Sequence, residues 1–593
     1  MSATDVIDAA DAAEAIDSLR SVGFERGDQL AVAIAVGVGA GFSTGQQMWS
    51  IAIPNPAAVV EAIETAFGPR WIWWSNEAAA VLVDVDVRVA RCWDVSVAHR
   101  MLFGGWRSDP ARVWAALNGV SSSTIPVMGQ LDLLGGGGDD GDPHHPERPD
   151  GHLRPDWVAG GWATSPTHLA QWAATAMHAV DRQRVVLAAR SNPARVETTI
   201  RSESVAELLC TELAADGLPI DLATADEIIG TFLGPRPRNE QEVTTARRRR
   251  DDVVLALPGV GGATDLRNPG HVRSMLDRVG VDVPDTRAWR LEAFRSTSEV
   301  VDALLTWRKA ERIETTFGYT WIDQHVRDGR LRGAWSGSDG AAGRMTAQAG
   351  LHNMPADLRG AVKAEPGHVF VRADLGQIEP RVLAAVSGDA QFAAAAAEDD
   401  MYAPVAARLG VERSVAKIAV LAAMYGQTSG AAGQTLQAME QSYPVAMQFL
   451  RDADEQGRAG IDVFTDGGRR IRMWDFGDQH AESPSTERAA MAARGRFARN
   501  AVVQGAAAEL FKVWAVTVRA RSAGLGARIV LCLHDELLVH VPAEHGEATA
   551  RLLDDCLQEA AWRHFRDARH ATAATVRFVA DISVIEKWSD AKP

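Results

Sequence analysis

Two short apolar segments in the C-terminal part of the chain each run into an aspartate: His368-Val-Phe-Val-Arg-Ala-Asp374 and Ile529-Val-Leu-Cys-Leu-His534-Asp535. Their patterning predicts strands. The first is followed by Gln377-Ile-Glu379-Pro-Arg381, a helix start in which Pro380 is tolerated because first-turn N–H groups lack intrahelical partners. The second continues through Glu536 into Leu-Leu-Val-His-Val, a strand–turn–strand pattern that presents Asp535 at a hairpin edge. An aspartate in a turn is commonly only a turn former. Two carboxylates on neighbouring strands, however, can hold a pair of divalent ions, the arrangement used for in-line displacement at phosphorus. The pairing points to nucleotidyl transfer.

Between these strands lies Arg413-Ser-Val-Ala-Lys417-Ile-Ala-Val-Leu421-Ala-Ala-Met-Tyr425-Gly426. Arg413, Lys417, Leu421 and Tyr425 recur every four residues and fall on one helical stripe. Two cations followed by apolar and aromatic groups suit a triphosphate at one end and a sugar and base at the other. The alternative is a solvated basic edge beside a core-facing Tyr425; richness in Ala and Val argues against it, because the other faces are expected to be buried.

A chain of 593 residues is too long for one core, and about three or four domains are expected. Cys92, Cys210, Cys532 and Cys556 lie far apart without CxxC spacing, which argues against zinc and disulfides and for a reduced, cytoplasmic setting. The N-terminal Met-Ser-Ala-Thr-Asp-Val-Ile-Asp is acidic where a signal peptide would be basic, and no apolar run is expected to span a bilayer. The net charge of −16 weighs against nucleic acid. A large acidic protein can still line one cleft with Arg and Lys.

Residues 1–130 alternate strand-like runs (Gln29 to Val36, Ala80 to Val87) with Ala-rich helical stretches and read as an α/β domain. Gly135 to Gly151 is rich in Gly, Pro and charge and is expected to be a flexible loop with solvated His144 and His145. From about 165 to 335 the pattern is helical, and from 336 strands and helices mix. No internal repeat is visible.

The motifs from Asp374 onward resemble the family A DNA polymerases, the bacterial DNA polymerase I group. Asp374-Leu-Gly-Gln377-Ile-Glu379-Pro-Arg381 is similar to that family's first palm motif, Arg413 to Gly426 to its fingers helix, and His534-Asp535-Glu536 to its second palm motif. Gly343-Arg344-Met-Thr with Leu351-His352-Asn353-Met-Pro355 resembles the template–primer segment, and Thr465-Asp-Gly-Gly468-Arg469-Arg470 a fingers hairpin. Arg496-Phe-Ala-Arg-Asn500-Ala-Val-Val-Gln504-Gly505 resembles the helix that tracks the primer terminus and templating base. The likeness covers roughly residues 205–590.

The resemblance implies a mixed multidomain right-hand polymerase preceded by a ribonuclease H-like α/β domain of exonuclease type. The implied parts are 1–195 exonuclease-like, 196–335 thumb, 336–385 palm, 386–490 fingers and 491–593 palm again. Asp374 and Asp535 would hold two Mg²⁺ ions, with Glu536 assisting; Arg413 and Lys417 would grip the triphosphate; Tyr425 would pack beside the nascent pair. Glu379 would fill the space of a ribose 2′-hydroxyl. Gln377, Leu421 and His352 would also bind nucleotide, and Arg344, Asn353, Arg496, Asn500, Gln504 and His534 would contact primer–template. The implied partners are primer–template DNA and dNTPs, for a monomer free of membrane in a nucleoid-associated setting. Leu375-Gly376 stand where the family has Tyr-Ser, His352 replaces a Gln, and Leu421 replaces an aromatic residue near the sugar, which bears on sugar discrimination.

The N-terminal part departs further. The related exonuclease site needs four carboxylates, yet no Asp or Glu lies between Asp28 and Glu61. The closest counterparts of its later motifs are Asn76-Glu-Ala-Ala-Ala80 and Trp172-Ala-Ala-Thr-Ala176, both ending in alanine. Without carboxylates the ions have no ligands, so a retained scaffold without proofreading is expected. Asp84, Asp86 and Asp94 remain, with Asp84 and Asp86 read as one exposed strand face. No 5′-nuclease segment is expected ahead of this region. Arg236, Arg238 and Arg247 to Arg250 are read either as phosphate contacts or as a solvated face partnered by Asp251 and Asp252. The leading reading is a template-directed DNA polymerase serving repair or gap filling; the rivals are a bifunctional polymerase and 3′→5′ exonuclease and a catalytically silent DNA-binding scaffold.

Overall fold

The structure, a computed structural model, describes residues 6–128, 142–426, 432–473, 484–566 and 568–591. Residues 1–5 of the acidic N-terminus and 135–141 of the Gly-rich segment lie outside the described residues. The chain divides into two compact units: Met1–Asp216, Ala334–Ala347 and Val371–Val584 form the first, and Gly217–Gly333, Gln348–Phe370 and Ile585–Pro593 the second.

The N-terminal portion of the first unit is a six-stranded sheet of β1 (Val6–Asp8), β2 (Gln29–Ala35), β3 (Gly39–Ser43), β4 (Met48–Ala52), β5 (Arg70–Trp73) and β6 (Cys92–Asp94), in the order β1-β4-β3-β2-β5-β6. β3 pairs antiparallel with β2 and β4, and the remaining pairs are parallel. The two-residue period of β2 divides its apolar side chains between two cores. Leu30, Val32 and Ile34 face one core with Leu19, Val60 and Ile63, whereas Ala31 and Ala33 face another with Leu169, Trp172 and Ala176. Small side chains on that second face let the Pro166–Ala188 helix lie close: a Cβ on Gly41 would sit 2.1 Å from the Ala170 nitrogen.

Two local expectations change. Ala80 to Val87 is not a strand; the helix Glu77–Val83 ends there in a turn. Ala79, Leu82 and Val83 are buried at helical spacing, so packing overrides the β-branched composition. Asp86, in a left-handed conformation at φ 60, ion-pairs with Arg88. Residues 142–151, the described part of the Gly-rich segment, form hydrogen-bonded turns: the Arg148 N–H donates to the His152 carbonyl at 2.8 Å and Trp157 Nε1 to the Pro143 carbonyl at 3.1 Å. Asp142 and Asp150 side chains accept from the backbone two residues on and close these turns, despite the composition.

The second unit is mainly helical, with a small sheet in the order β7-β9-β8: β7 (Leu218–Pro219), β8 (Val326–Arg327) and β9 (Arg330–Leu331). Val254, Val272, Met275, Leu276, Val301 and Leu304 form its core. Several of its arginines are paired within the unit. Arg247 bonds Glu311, Arg250 bonds Glu314, Arg267 bonds both Asp251 and Glu311, and Arg236 bridges Asp226 and Asp323. The acidic partners of Arg247 and Arg250 thus come from residues 311–314 rather than from Asp251 and Asp252.

The C-terminal portion of the first unit begins with the hairpin β10 (Trp335–Asp339) and β11 (Arg344–Ala347). Its main sheet runs β15-β16-β12-β17, made of β12 (His368–Leu375), β15 (Arg528–Leu533), β16 (Glu536–Pro542) and β17 (Ala580–Ile585), with a separate hairpin of β13 (Val463–Phe464) and β14 (Arg470–Ile471). The helix Pro484–Ser522 packs against Pro444–Arg458, Pro193–Asp216 and Gly546–Phe565. Against the expectation of no bilayer-length apolar run, the helix Glu487–Leu525 contains an 18-residue stretch long and apolar enough to span one, but 89% of that stretch is buried inside the protein. It is a core helix of this unit.

A charge cluster is buried beside it. Lys512 is fully buried and ion-pairs with Glu203 at 2.5 Å; Arg469, from the β13–β14 turn, reaches the same carboxylate at 2.5 Å. Lys512 also donates to the carbonyls of Gly337 and Gly343, so one ammonium joins the Pro193–Asp216 helix to both ends of the β10–β11 turn. Burial alone would raise the Glu203 carboxyl, but Arg469 and Lys512 hold it below the usual range. Removing one partner strands the other charge in a dry site. Lys512→Ala should therefore cost about 3–5 kcal/mol, read as a lowered denaturation midpoint, and Glu203→Gln/Lys512→Met should cost less than the sum of its two single changes.

Candidate active site

Strand alternation puts Val371, Ala373 and Leu375 on one side of β12, all nearly inaccessible, and Arg372 and Asp374 on the other. β15 and β16 pair up to Leu533 opposite Glu536, leaving His534 and Asp535 as a two-residue turn. His534 takes the left-handed conformation at φ 56 that such tight turns require of one residue. The Leu375 N–H donates to the Asp535 carbonyl at 3.0 Å, which locks the turn against the end of β12 and brings the two aspartates together.

The carboxyls feel each other. Burial, then the negative charge of Asp535, pushes the Asp374 carboxyl up to about 6, with Arg372 opposing. Burial also raises Asp535, with Glu536 and Glu379 adding to it. Both shifts disfavour the ionised form, as expected for like charges sharing a partly dry site. The donor set is carboxylate oxygen alone, the chemistry that suits a hard divalent cation.

Arg372 was not singled out in the sequence, although it stands two residues before Asp374 on the same strand face. Its side chain, 9% exposed, donates from Nε to Glu536 at 2.9 Å and from a terminal nitrogen to Asp374 at 2.5 Å, and lies 3.5 Å from Asp581 on β17. Period-two alternation alone would have found the Arg372–Asp374 neighbourhood. The roles of Glu536 and Asp581 required the strand order.

The residue after β12 and its turn, Gln377, also adopts a left-handed conformation, at φ 56, and opens the helix Ile378–Ser387. Its amide donates to Asp400 at 2.9 Å and accepts from the Met401 N–H at 3.1 Å. Asp400 in turn takes the Arg413 guanidinium at 2.5 and 3.1 Å, at the start of the helix Arg413–Tyr425. Arg381, fully buried, holds the same loop by donating to the carbonyls of Gly376, Ala396, Glu398 and Asp399. At the other end of the Arg413–Tyr425 helix, the Tyr425 hydroxyl donates to Glu379 at 3.0 Å, and Arg344 on β11 ion-pairs with Glu379 at 2.7 Å. Burial and the Glu379 charge push the Tyr425 hydroxyl up, and Gln504 bonds it as well.

A cavity of about 160 Å³ is lined by Arg344, Glu379, Gln504, Phe511, His534 and Asp535, so residues from four separate sequence motifs meet there. Arg496 is exposed and packs under Gly426, and Asn500 lies one turn further along the same helix. On the Arg413–Tyr425 helix, Lys417 is exposed and Leu421 half-buried. The expectation that its other faces are buried holds only in part: Ala416, Ala419, Val420 and Ala423 are covered, but Ile418 is 61% exposed. His352 and Asn353 belong to the second unit, in the turn Leu351–Asn353, where the Asn353 carbonyl accepts from Arg312 at 3.0 Å.

The model of DNA polymerase family A matches residues 277–590. Among characterised proteins, DNA polymerase I of Chloroflexus aurantiacus is 31% identical over 385 residues, 57% of this chain and 40% of that protein. The thermostable DNA polymerase I of Thermus aquaticus is 31% identical over 302 residues, 46% of this chain and 36% of its own length. The chain therefore spans well under half the length of these relatives. Among solved structures, the POL domain of Pol1 from M. smegmatis, in complex with DNA primer-template and dNTP, superposes with a TM-score of 0.67 over 99% of both chains at 18% identity, a likeness of fold.

The elevated Asp374 carboxyl has a measurable consequence. Because its folded value, about 6, lies above the unfolded value near 3.9, the native protein holds the extra proton between those limits, and its metal-free stability should rise as pH falls through that window. Carboxyl-carbon NMR of the metal-free protein should show an aspartate titrating near pH 6, apart from buried Asp94 at about 7, and Asp374→Asn should remove the former signal alone; an Asp374 titration at or below pH 4 would contradict the burial argument.

Proposed function

Because the chain belongs to DNA polymerase family A, we propose that it is a template-directed DNA polymerase that transfers nucleotides from dNTPs to a primer 3′-hydroxyl. The observation that carries this reading is the Leu375–Asp535 hydrogen bond, which sets two carboxylates from distant sequence positions side by side at the end of one sheet. We assign the β15-β16-β12-β17 sheet to the palm, the helices between residues 386 and 490 to the fingers, the second unit to the thumb, and the N-terminal six-stranded sheet to an exonuclease-type domain.

Asp374 and Asp535 would hold two Mg²⁺ ions, with Glu536 beside them. When bound, these would supply positive charge to the attacking hydroxyl and the departing pyrophosphate. Arg413 is placed to take phosphate oxygens: its fork already grips the Asp400 carboxylate, an acceptor of the same shape. Lys417 lies one turn further along the same helix. Glu379, tied from both sides by Tyr425 and Arg344, is held rigidly enough to act as a wall against a ribose 2′-hydroxyl. Gln504 and His534 line the same cavity, where the primer end and templating base would lie.

The N-terminal domain is read as a scaffold without proofreading. The face of β2 where carboxylates would be needed carries Ala31 and Ala33, and the space is filled by Trp74 and Trp172, with ring centroids 4.9 Å apart, and by buried Ala176. Asp94, a buried carboxylate on β6, caps the helix Val95–Phe103 through the Val97 N–H and accepts from Trp73. Its carboxyl is pushed up to about 7 by burial, which suits a neutral structural group better than a metal ligand. A role in repair or gap filling fits such an enzyme.

Primer extension on a longer template with Mg²⁺ tests this reading. Extension should vanish in Asp535→Ala, and without dNTPs the primer should not shorten; shortening that survives Asp535→Ala would restore the exonuclease. Glu379→Ala should raise ribonucleotide incorporation by about tenfold or more, the scale of one pocket contact, and an unchanged preference would remove Glu379 from the gate.

A further inference from the structure

One guanidinium touches three of the four carboxylates at the sheet end. Arg372 lies on β12, and the neighbouring strands β16 and β17 supply Glu536 and Asp581. Nε faces Glu536, one terminal nitrogen faces Asp374 Oδ2 and the other faces Asp581. Arginine cannot give up its proton in a protein, so this is a permanent charge, and its side chain is only 9% exposed. Glu536 is buried to a similar degree, so water screens that pair least, while Asp374 is about one-third exposed and Asp581 mostly exposed.

Such a group acts on a cation site in two ways. Its fork fixes the rotation of the Asp374 carboxylate, because charge-assisted bonds to a planar guanidinium are directional. It also occupies Asp374 Oδ2 and places a positive charge within hydrogen-bond distance of the group that would take the metal. Charge repulsion acts over longer range than orientation, and it opposes a doubly charged ion with twice the force that it opposes a proton. The two effects predict opposite results when the arginine is removed. Loss of orientation would weaken cation binding; loss of the competing charge would tighten it.

We propose that Arg372 is a positioning residue that holds Asp374 and Glu536 in register while competing with divalent cations for Asp374, so that it sets the cation affinity of the aspartate pair. This rests on the two-metal reading above. The consequence is a site that binds free divalent ions weakly. It would fill effectively when the triphosphate oxygens of a nucleotide add their own negative charge.

The test is Mn²⁺ binding to the full chain without DNA or nucleotide, followed by electron paramagnetic resonance, in the wild type, Arg372→Gln, Arg372→Ser, Arg372→Lys and Asp374→Asn. Either neutral Arg372 variant that folds, judged by its melting curve, should bind Mn²⁺ about ten- to hundredfold more tightly, the range over which groups beside metal ligands tune affinity. Arg372→Lys, which keeps the charge, should stay within about threefold of wild type, and Asp374→Asn should abolish the weak wild-type binding. A purely structural role cannot produce tightening. Unchanged or weaker binding in the neutral variants, with Asp374→Asn still abolishing it, would overturn the Arg372 assignment alone. Binding that is indifferent to Asp374→Asn would overturn the two-metal reading and this inference with it.

Discussion

Two acidic side chains from positions far apart in sequence must be brought together where water is scarce, and they repel. The C-terminal sheet meets that constraint with backbone geometry first: the Leu375 N–H bonds the Asp535 carbonyl, and left-handed conformations at His534 and Gln377 turn the chain sharply on either side. Non-glycine residues held in that region are strained unless their surroundings over-determine them. Here the surroundings do so, through the β15–β16 pairing on one side and the Gln377–Asp400–Met401 bonds on the other. The electrostatic half is carried by Arg372, which faces Asp374, Glu536 and Asp581 at once. The raised Asp374 carboxyl records its burial first and the repulsion of Asp535 second.

The same unit places a second set of charges deeper still. Glu203, Lys512 and Arg469 meet in a space closed to solvent, and Glu509 accepts from Thr465 and the Gly467 N–H beside them. A buried ion cluster is weak evidence of net stability, because its desolvation can exceed its attraction. What it does supply here is connection. The β13–β14 turn and the Pro484–Ser522 helix converge on a carboxylate of the Pro193–Asp216 helix, more than 250 residues earlier in the chain, and Lys512 pins the β10–β11 turn that leads to Arg344. The link from the Pro193–Asp216 helix to Glu379 is thus traced through specific bonds.

The N-terminal sheet shows how small side chains on one strand face admit a close-packed helix. β2 is buried on both faces; one carries Ala31 and Ala33, and Trp74 and Trp172 fill the volume beside it. Close packing needs the volume filled, not any particular polarity. Asp94 survives as a helix cap, a role that depends on its backbone position.

Much of the site was legible in the residues. A strand ending at Asp374, a helix opening at Gln377, a hairpin turning at His534-Asp535 and a helix from Arg413 to Tyr425 all follow from period, turn chemistry and proline placement, and each is present. These are local properties, set by neighbours within a few positions. Where local signals conflicted with packing, packing prevailed: Val81 to Val83 are helical despite their β-branched composition, and 142–151 is turn-rich and bonded despite its glycine and proline. What no local pattern contained was partnership. That Arg372 answers to Glu536 and Asp581, that Arg413 is held by Asp400, that Arg247 meets Glu311, and that Lys512 lies buried against Glu203 depend on strand order and helix docking. The sequence by itself determined which elements bear the charged and aromatic groups of the candidate site, because period and turn propensity are written in adjacent residues. Only the tertiary structure decided which charge faces which, because Coulomb energy depends on distance and burial, and both are set by the packing of segments far apart in the chain.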